Sequence, residues 1–322
     1  MEQIIGQIVK KIGESKKIAI TSHIRPDGDS IGSSLALYLM LKQLGKEVKY
    51  INKDKPQPPI SYFPNTEIIE YGDIYPEDFD IVILIECSTE ARSGQKNLNN
   101  YFRILIDHHR SNDGQVEINW VDPEKSAVAI MVYQLGISLG IEFDKTIASL
   151  LYLGLVSDTG GFKFTNVNAE SFQTAAELVG LGADPIYTNR LLFENYTKEK
   201  VLLISKVLGT LETHFNETVG FIFMFKSFLE ELGLSDVETE DIVTIIRSIH
   251  KIKLVMFFKQ NDDNSFRVSL RSRNNVDSSI IAESFGGGGH FHASGFYIEG
   301  DIDKIKEITL EKIKRYFEKV KI

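Results

Sequence analysis

The run Asp80-Ile81-Val82-Ile83-Leu84-Ile85 narrows most what this chain can fold into. Successive side chains of a strand point to opposite faces, so five aliphatic residues in a row leave neither face for water. Such a strand belongs inside a parallel sheet covered on both sides. Strand-like segments recur at 17–22, 47–51 and 102–106. Helical spacing lies at 31–44, where Leu35 and Leu39 recur and Gly45 suits a C-cap, and again at 127–139, 147–156 and 169–180. Strands alternating with helices predict an α/β fold with a doubly wound, mainly parallel sheet.

The pattern changes near Asp184-Pro185. Residues 1–185 are expected to form a first domain, and 186–214 a helical linker with its helix from 198 to 213. Residues 215–322 are expected to form a second, smaller α/β domain across a cleft. Its strands are expected at 219–225, 253–259 and 266–271, and its helices at 237–250, 278–284 and 302–317. The Pro-rich stretch 56–64 reads as a surface loop. The glycine run at 286–289 is the one low-complexity segment.

Charge and cysteine usage narrow the function classes. The 322 residues carry a formal net charge of −9, which argues against a broad basic track for long nucleic acid or duplexes. A small phosphate ligand can still be held by metals or a local cationic pocket. A single cysteine, Cys87, permits no internal disulfide and fits a reducing compartment. The N-terminus lacks the basic and apolar halves of a signal peptide, and no apolar run suits a membrane, so a cytoplasmic location is expected.

Acidic residues and histidines collect at the ends of the expected strands and helices. His23-Ile24-Arg25-Pro26-Asp27-Gly28-Asp29 lies between a strand and a helix, where open α/β sheets bind ligands. Carboxylates with imidazole suit manganese-like cations, although Asp, Gly and Ser also make ordinary turns and N-caps. Asp107-His108-His109 ends a buried strand, Glu86 ends the run 80–85, and Asp158 follows the helix at 147–156. Each alone has a plain structural reading as a hydrogen-bonded or solvated element end. Together they point to a centre of more than one metal ion. Cys87 reads as a small buried hydrophobe.

The later part of the chain offers anion-binding features. Gly286-Gly287-Gly288-Gly289-His290 can expose backbone N–H groups to an anion. Arg271 and Arg273 alternate on a strand-like stretch and are expected to share a face, with guanidinium geometry that matches phosphate. A flexible turn and a solvated edge remain the alternatives. His214, His250 and His292 read as surface or packing residues.

These motifs, in this order and over nearly the whole chain, resemble the DHH phosphoesterase superfamily with its DHH-associated C-terminal domain. The length is most similar to the nanoRNase / pAp phosphatase (NrnA-like) family. The resemblance implies a catalytic domain at 1–185 and a substrate-binding domain at 215–322. It implies two Mn²⁺ per site, with Mg²⁺ or Co²⁺ as substitutes. His23 and Asp27 would hold the first ion, Asp29, His108 and Asp158 the second, and Glu86 would bridge them. His109 would contact the scissile phosphate, Asp107 would fix an imidazole, and Arg271, Arg273, Gly287, Gly288, Gly289 and His290 would bind substrate.

The family usually has Asp where this chain has Glu86, so a bridge here must accommodate an extra methylene. The implied activity is manganese-dependent hydrolysis of short oligoribonucleotides and of 3′-phosphoadenosine-5′-phosphate (pAp). The rivals are a cyclic dinucleotide phosphodiesterase, a RecJ-like single-strand exonuclease, a family II inorganic pyrophosphatase and a catalytically silent nucleotide sensor. A homodimer is left open.

Overall fold

The computed structural model describes residues 2–75, 79–110, 116–235, 237, 239–262 and 264–320. It divides into two compact units, Met1–Asn195 and Tyr196–Ile322.

The first unit runs α1 (Glu2–Glu14), β1 (Lys17–Ser22), α2 (Gly28–Gln43), β2 (Glu47–Asn52), β3 (Glu70–Tyr71), β4 (Ile81–Ile85), β5 (Phe102–Asp107) and β6 (Ile118–Val121). Then come α3 (Val128–Ser138), α4 (Lys145–Asp158), α5 (Ala169–Gly180) and α6 (Pro185–Phe193). The sheet order is β3-β2-β1-β4-β5-β6, with every adjacent pair parallel. The apolar run of the sequence is β4, buried along its whole length. Ile81, Ile83 and Ile85 face a core with Leu35 and Met40 of α2 and Leu150 and Leu153 of α4. Val82 and Leu84 face the other side, with Leu98, Leu105 and Ile74. On that side the described cluster draws on no α-helix: Leu98 comes from a 3₁₀ turn at Leu98–Asn100 and Ile74 and Cys87 from loops.

The chain steps outward from β1 to β3 and then returns to β4 on the other side of β1. The strand order therefore reverses between β1 and β4, and ligands of open α/β sheets bind beyond the strand ends at such a point. Helices α2 and α4 meet there almost backbone to backbone. A Cβ on Gly32 would collide with the Leu150 carbonyl, and one on Gly154 would lie 2.6 Å from Asp29 Oδ1. Glycine at these two positions permits an approach that brings Asp29 near the end of α4.

The second unit runs α7 (Lys198–Leu208), β7 (Glu212–His214), β8 (Val219–Met224), α8 (Lys226–Leu232), α9 (Glu240–Arg247), β9 (Leu254–Asp262) and β10 (Ser265–Ser272). It ends with α10 (Ser278–Glu283), β11 (Gly288–His290), β12 (Ala293–Glu299) and α11 (Ile302–Val320). Its sheet order is β11-β12-β10-β9-β8-β7, parallel at β8–β9 and antiparallel elsewhere. One face packs on Ile305, Ile313 and Phe317 of α11, the other on Leu203 and Val207 of α7 and Ile242 and Ile246 of α9.

Residues 186–214, expected as a linker, are thus divided. Helix α6 belongs to the first unit, and α7 is a core helix of the second because Leu203 and Val207 recur four residues apart on one face. The helix expected from 237 begins at Glu240; residues 236 and 238 lie outside the described residues. Among the described residues no helix is long and apolar enough to cross a membrane.

Candidate metal centre

β1 ends at Ser22 and delivers His23 and Asp27 to the reversal point. His23 is buried and donates from Nδ1 to the Ile24 carbonyl at 2.8 Å. That bond fixes the tautomer and leaves the Nε2 lone pair for a ligand. Asp27 is the N-cap of α2, accepting from Ser30 N at 3.0 Å through Oδ1. Its Oδ2 lies 3.7 Å from His23 Nε2, so the turn reading and the ligand reading coexist in one side chain.

β4 ends one residue before Glu86, which is buried and holds a left-handed backbone at φ +59°. Non-glycine residues rarely adopt that conformation. Glu86 Oε2 is 3.8 Å from His23 Nε2, and Oε1 is 3.9 Å from His108 Nε2. Buried Oε2 accepts no hydrogen bond from any described residue. A lone carboxylate oxygen of this kind is costly unless a cation meets it.

β5 delivers Asp107, His108 and His109. His108 donates from Nδ1 to the Lys125 carbonyl at 2.9 Å and sets Nε2 at 3.5 Å from Asp158 Oδ2. Asp107 is fully buried, and its Oδ1 accepts from His108 N at 2.9 Å and from His109 Nδ1 at 2.7 Å. Asp158 is the last residue of α4, which runs to that residue instead of stopping at 156. Asp29 has a double engagement. Its oxygens accept from Val128 N at 2.5 Å, Ala129 N at 3.0 Å and Ser33 Oγ at 2.8 Å, which caps the start of α3 from another helix.

Three sets of donor atoms each lie within 4.8 Å of one another: His23, Asp27 and Glu86; Asp29, His108 and Asp158; and Glu86, His108 and His109. Glu86 and His108 each belong to two sets. Burial, and then the charges of Asp27, Asp29 and Asp158, push the Glu86 carboxyl well above its ordinary value. Burial and the Asp29 charge push Asp158 up to about 7, against the pull of His108. Burial raises Asp29 as well. Burial also opposes the charge on Asp27, but hydrogen bonding and attraction to His23 prevail and hold it down to about 2. Burial disfavours charge on both imidazoles, yet Asp27 raises His23, and Asp29 and Asp158 raise His108. The pocket thus has more negative charge than its own side chains neutralise. Hard oxygens, imidazole and an orphaned buried carboxylate oxygen fit divalent cations.

Residues 17–155 match the DHH family, N-terminal domain, and residues 216–319 match the DHHA1 domain. The Thermus thermophilus protein named bifunctional oligoribonuclease and PAP phosphatase NrnA is 33% identical over 97% of this chain and 93% of its own length. The chain belongs to the DHH phosphoesterase family. The protein of the same name from Bacillus subtilis is 28% identical over 93% of this phosphoesterase and 95% of its own length. A crystal structure of an exopolyphosphatase-related protein from Bacteroides fragilis superposes with a TM-score of 0.87 at 25% identity, covering 100% and 98% of the two chains.

The expected substrate residues of this DHH phosphoesterase fare differently from one another in the second unit. Gly286 to Gly289 line a cavity of about 560 Å³ with Arg267, Ser269, Arg271 and Ser294. Arg271 already makes two 2.8 Å bonds to the Glu240 carboxylate, from Nε and Nη2. Arg273 lies beyond β10 and is not among the cavity residues. Its Nη2 donates to the Ile249 carbonyl at 2.8 Å and also to the His250 carbonyl. His290 is exposed on β11 and does not line the cavity either.

Sequence reasoning missed Arg267, although counting back by twos along the strand from Arg271 reaches it. It also missed Asn166, whose Nδ2 donates to the Asp158 carbonyl at 3.0 Å, to Asp158 Oδ2 at 3.3 Å and to the Ser126 carbonyl at 2.9 Å. Nothing in the local sequence marks that asparagine.

Proposed function

We propose that this phosphoesterase hydrolyses very short oligoribonucleotides and pAp with two divalent cations, manganese foremost. The observation that carries the reading is the overlap of donor sets at Glu86 and His108. Two sets without a shared member would suit two separate sites, whereas shared members suit a paired centre. His23 and Asp27 would hold one ion, Asp29, His108 and Asp158 the other, with Glu86 between them. Mixed imidazole and carboxylate donors favour manganese over magnesium. The substrate class is supported by the names of the relatives in Thermus thermophilus and Bacillus subtilis.

When bound, the cations lower the pKa of water and offset charge on a phosphoryl group. The protein's own groups do the rest. An imidazolium at His109, held through Nδ1–H by Asp107, would present Nε2–H to a phosphoryl oxygen, where a positioned donor stabilises developing charge. Asn166 orients Asp158. In the second unit, the cavity lined by Gly287, Gly288 and Gly289 with Arg267 and Arg271 would offer a phosphate contacts of its own, and His290 stands outside that lining.

The test is a manganese-supplemented assay of dinucleotides, longer oligomers, pAp, cyclic dinucleotides and pyrophosphate. Dinucleotides and pAp are expected to turn over fastest. Preferential turnover of a cyclic dinucleotide would replace this substrate class, and metal binding without any turnover would favour the silent sensor.

A further inference from the structure

Five arginines belong to the first unit, and three of them face carboxylates. Arg103 pairs with Glu90 at 2.6 Å and Glu117 at 2.8 Å, Arg110 with Glu124 at 3.8 Å, and Arg190 with Glu194 at 3.7 Å. Arg25 and Arg92 are both exposed, and neither has a carboxylate partner for its guanidinium among the described residues. In a chain of net charge −9 that pairing pattern selects two positions, and both adjoin the metal centre.

Arg92 sits in the 3₁₀ turn Glu90–Ser93 that follows β4. The turn is bolted to the His23–Asp27 loop, because the Arg92 carbonyl accepts from Ile24 N at 2.8 Å. Gly94 lies so close to the same loop that a Cβ there would be 2.7 Å from Ile24 Cγ2. Ser93 is buried and donates to the Glu90 carbonyl at 2.6 Å, which stiffens the turn from inside. The Arg92 guanidinium reaches Ser88 Oγ at 3.5 Å, two residues beyond Glu86, and its charge opposes protonation of His23. The nearest acidic residue on its own turn, Glu90, is drawn away by Arg103. Arg25 follows His23 by two residues, with a left-handed backbone at φ +53° whose N–H donates to Asp54 Oδ2 at 2.9 Å.

We propose that Arg92, with Arg25 beside it, forms a subsite for a second phosphate of the substrate, next to the His23–Glu86 side of the centre. The inference rests on the phosphoesterase reading above and adds a specificity determinant to it. A guanidinium held on a rigid turn and free of carboxylates presents paired N–H donors that match phosphate oxygens. The reacting phosphoryl group is already provided for by the cations and His109. The selection would favour ligands with two phosphates over nucleoside monophosphates.

Equilibrium dialysis with Ca²⁺ as the supporting ion tests this, using adenosine 3′,5′-bisphosphate and AMP on wild type, Arg92→Ala and Arg92→Lys. Wild type should prefer the bisphosphate by about tenfold or more, the size of one charge-assisted contact. Arg92→Ala should lose that preference while AMP and Mn²⁺ affinities stay within about twofold, and Arg92→Lys should keep part of it. The subsite is overturned if wild type shows no preference, if Arg92→Ala keeps it, or if Arg92→Ala weakens AMP and bisphosphate alike. Parallel manganese assays separate this from the proposed substrate class. An Arg92-dependent preference without hydrolysis of bisphosphate or dinucleotides keeps the subsite and removes that class.

Discussion

Asp29 and Asp158 belong to one set of candidate ligands, but their other contacts differ. Asp158 stands at a helix end, whereas Asp29 also caps α3 through Val128 N and Ala129 N. Asp158→Ala should therefore lose most Mn²⁺ binding with little change in metal-free stability. Asp29→Ala should lose both, by about 1–3 kcal/mol for the two orphaned N–H groups. Urea unfolding and metal titration of both variants check this, and equal stability loss in the two would remove the capping role. Glu86 carries a second expectation. A buried carboxyl held above its ordinary value stabilises the metal-free fold only while protonated. For Glu86, Asp29 and Asp158 that contribution is complete below the ordinary carboxylate range. It is lost as pH rises, through about 7 for Asp158. Raised His23 and His108 act in the same direction, present below 6.5 and lost above it. Asp27, held down to about 2, stays ionised throughout this window. The metal-free Tm should fall from about pH 5 to about pH 8, while the Mn²⁺-induced rise in Tm grows, since binding displaces protons. Glu86→Gln imitates the protonated form, so its metal-free Tm at about pH 8 should exceed wild type and its Mn²⁺ shift should shrink. Scanning fluorimetry with and without Mn²⁺ reads both, and parallel pH profiles for wild type and Glu86→Gln would count against a strained carboxylate there.

Helices α2 and α4 set the distance between Asp29 and Asp158 of one candidate ligand set, and glycine sets the distance between the helices. Gly154→Ala would press a methyl toward Asp29 Oδ1, at 2.6 Å, and Ala129 Cβ, at 3.0 Å. It should cost about 1–3 kcal/mol as an overpacked contact and weaken Mn²⁺ binding with it. Gly180→Ala, with open space around the new methyl, should be neutral or slightly stabilising. Denaturant midpoints and metal titration compare the two; a harmless Gly154→Ala would mean that α2 and α4 can separate without disturbing the ligands. The apolar run that became β4 was legible because five aliphatic residues admit one environment. The strand-end placement of His23, Glu86 and His108 was legible for a similar reason, since period and turn chemistry locate strand ends. Asn166, Arg92 and the capping by Asp29 were not. Each depends on segments that meet only after folding, such as α2 with α3, or the turn 90–93 with the loop 23–27. The allegiance of α7 was missed because a polar helix with two buried residues looks like a connector until its partner sheet is known. Arg271 and Arg273 share a sequence parity, but β10 ends between them, so one faces the glycine-lined cavity and the other caps carbonyls.

Across the whole molecule, charge limits how long a substrate can usefully be. A nuclease that follows a strand draws affinity from many phosphate contacts, each adding about 0.7 to the salt slope for single strands. This chain has a net charge of −9, and Arg103, Arg110, Arg190, Arg271 and Arg315 are paired with carboxylates. Among the described residues, the arginines without a carboxylate partner that stand beside a candidate site are Arg92 and Arg25 and, in the glycine-lined cavity, Arg267. One or two phosphates satisfy such a set, and every further nucleotide brings negative charge to an acidic surface. Hydrolysis should therefore be fastest on dinucleotides and decline along a series to about twenty nucleotides. The slope of log(kcat/KM) against log salt for the dimer should be about −1 to −2, as expected for one or two phosphate contacts. It should not steepen with length, because added nucleotides meet a chain of net charge −9 and, among the described residues, no further arginine beside a candidate site. The measurement is a length series assayed at two ionic strengths with saturating Mn²⁺. A twenty-mer cleaved faster than the dimer, with a slope that steepens with length, would show a cationic path that these charges do not provide, and would favour a RecJ-like exonuclease instead.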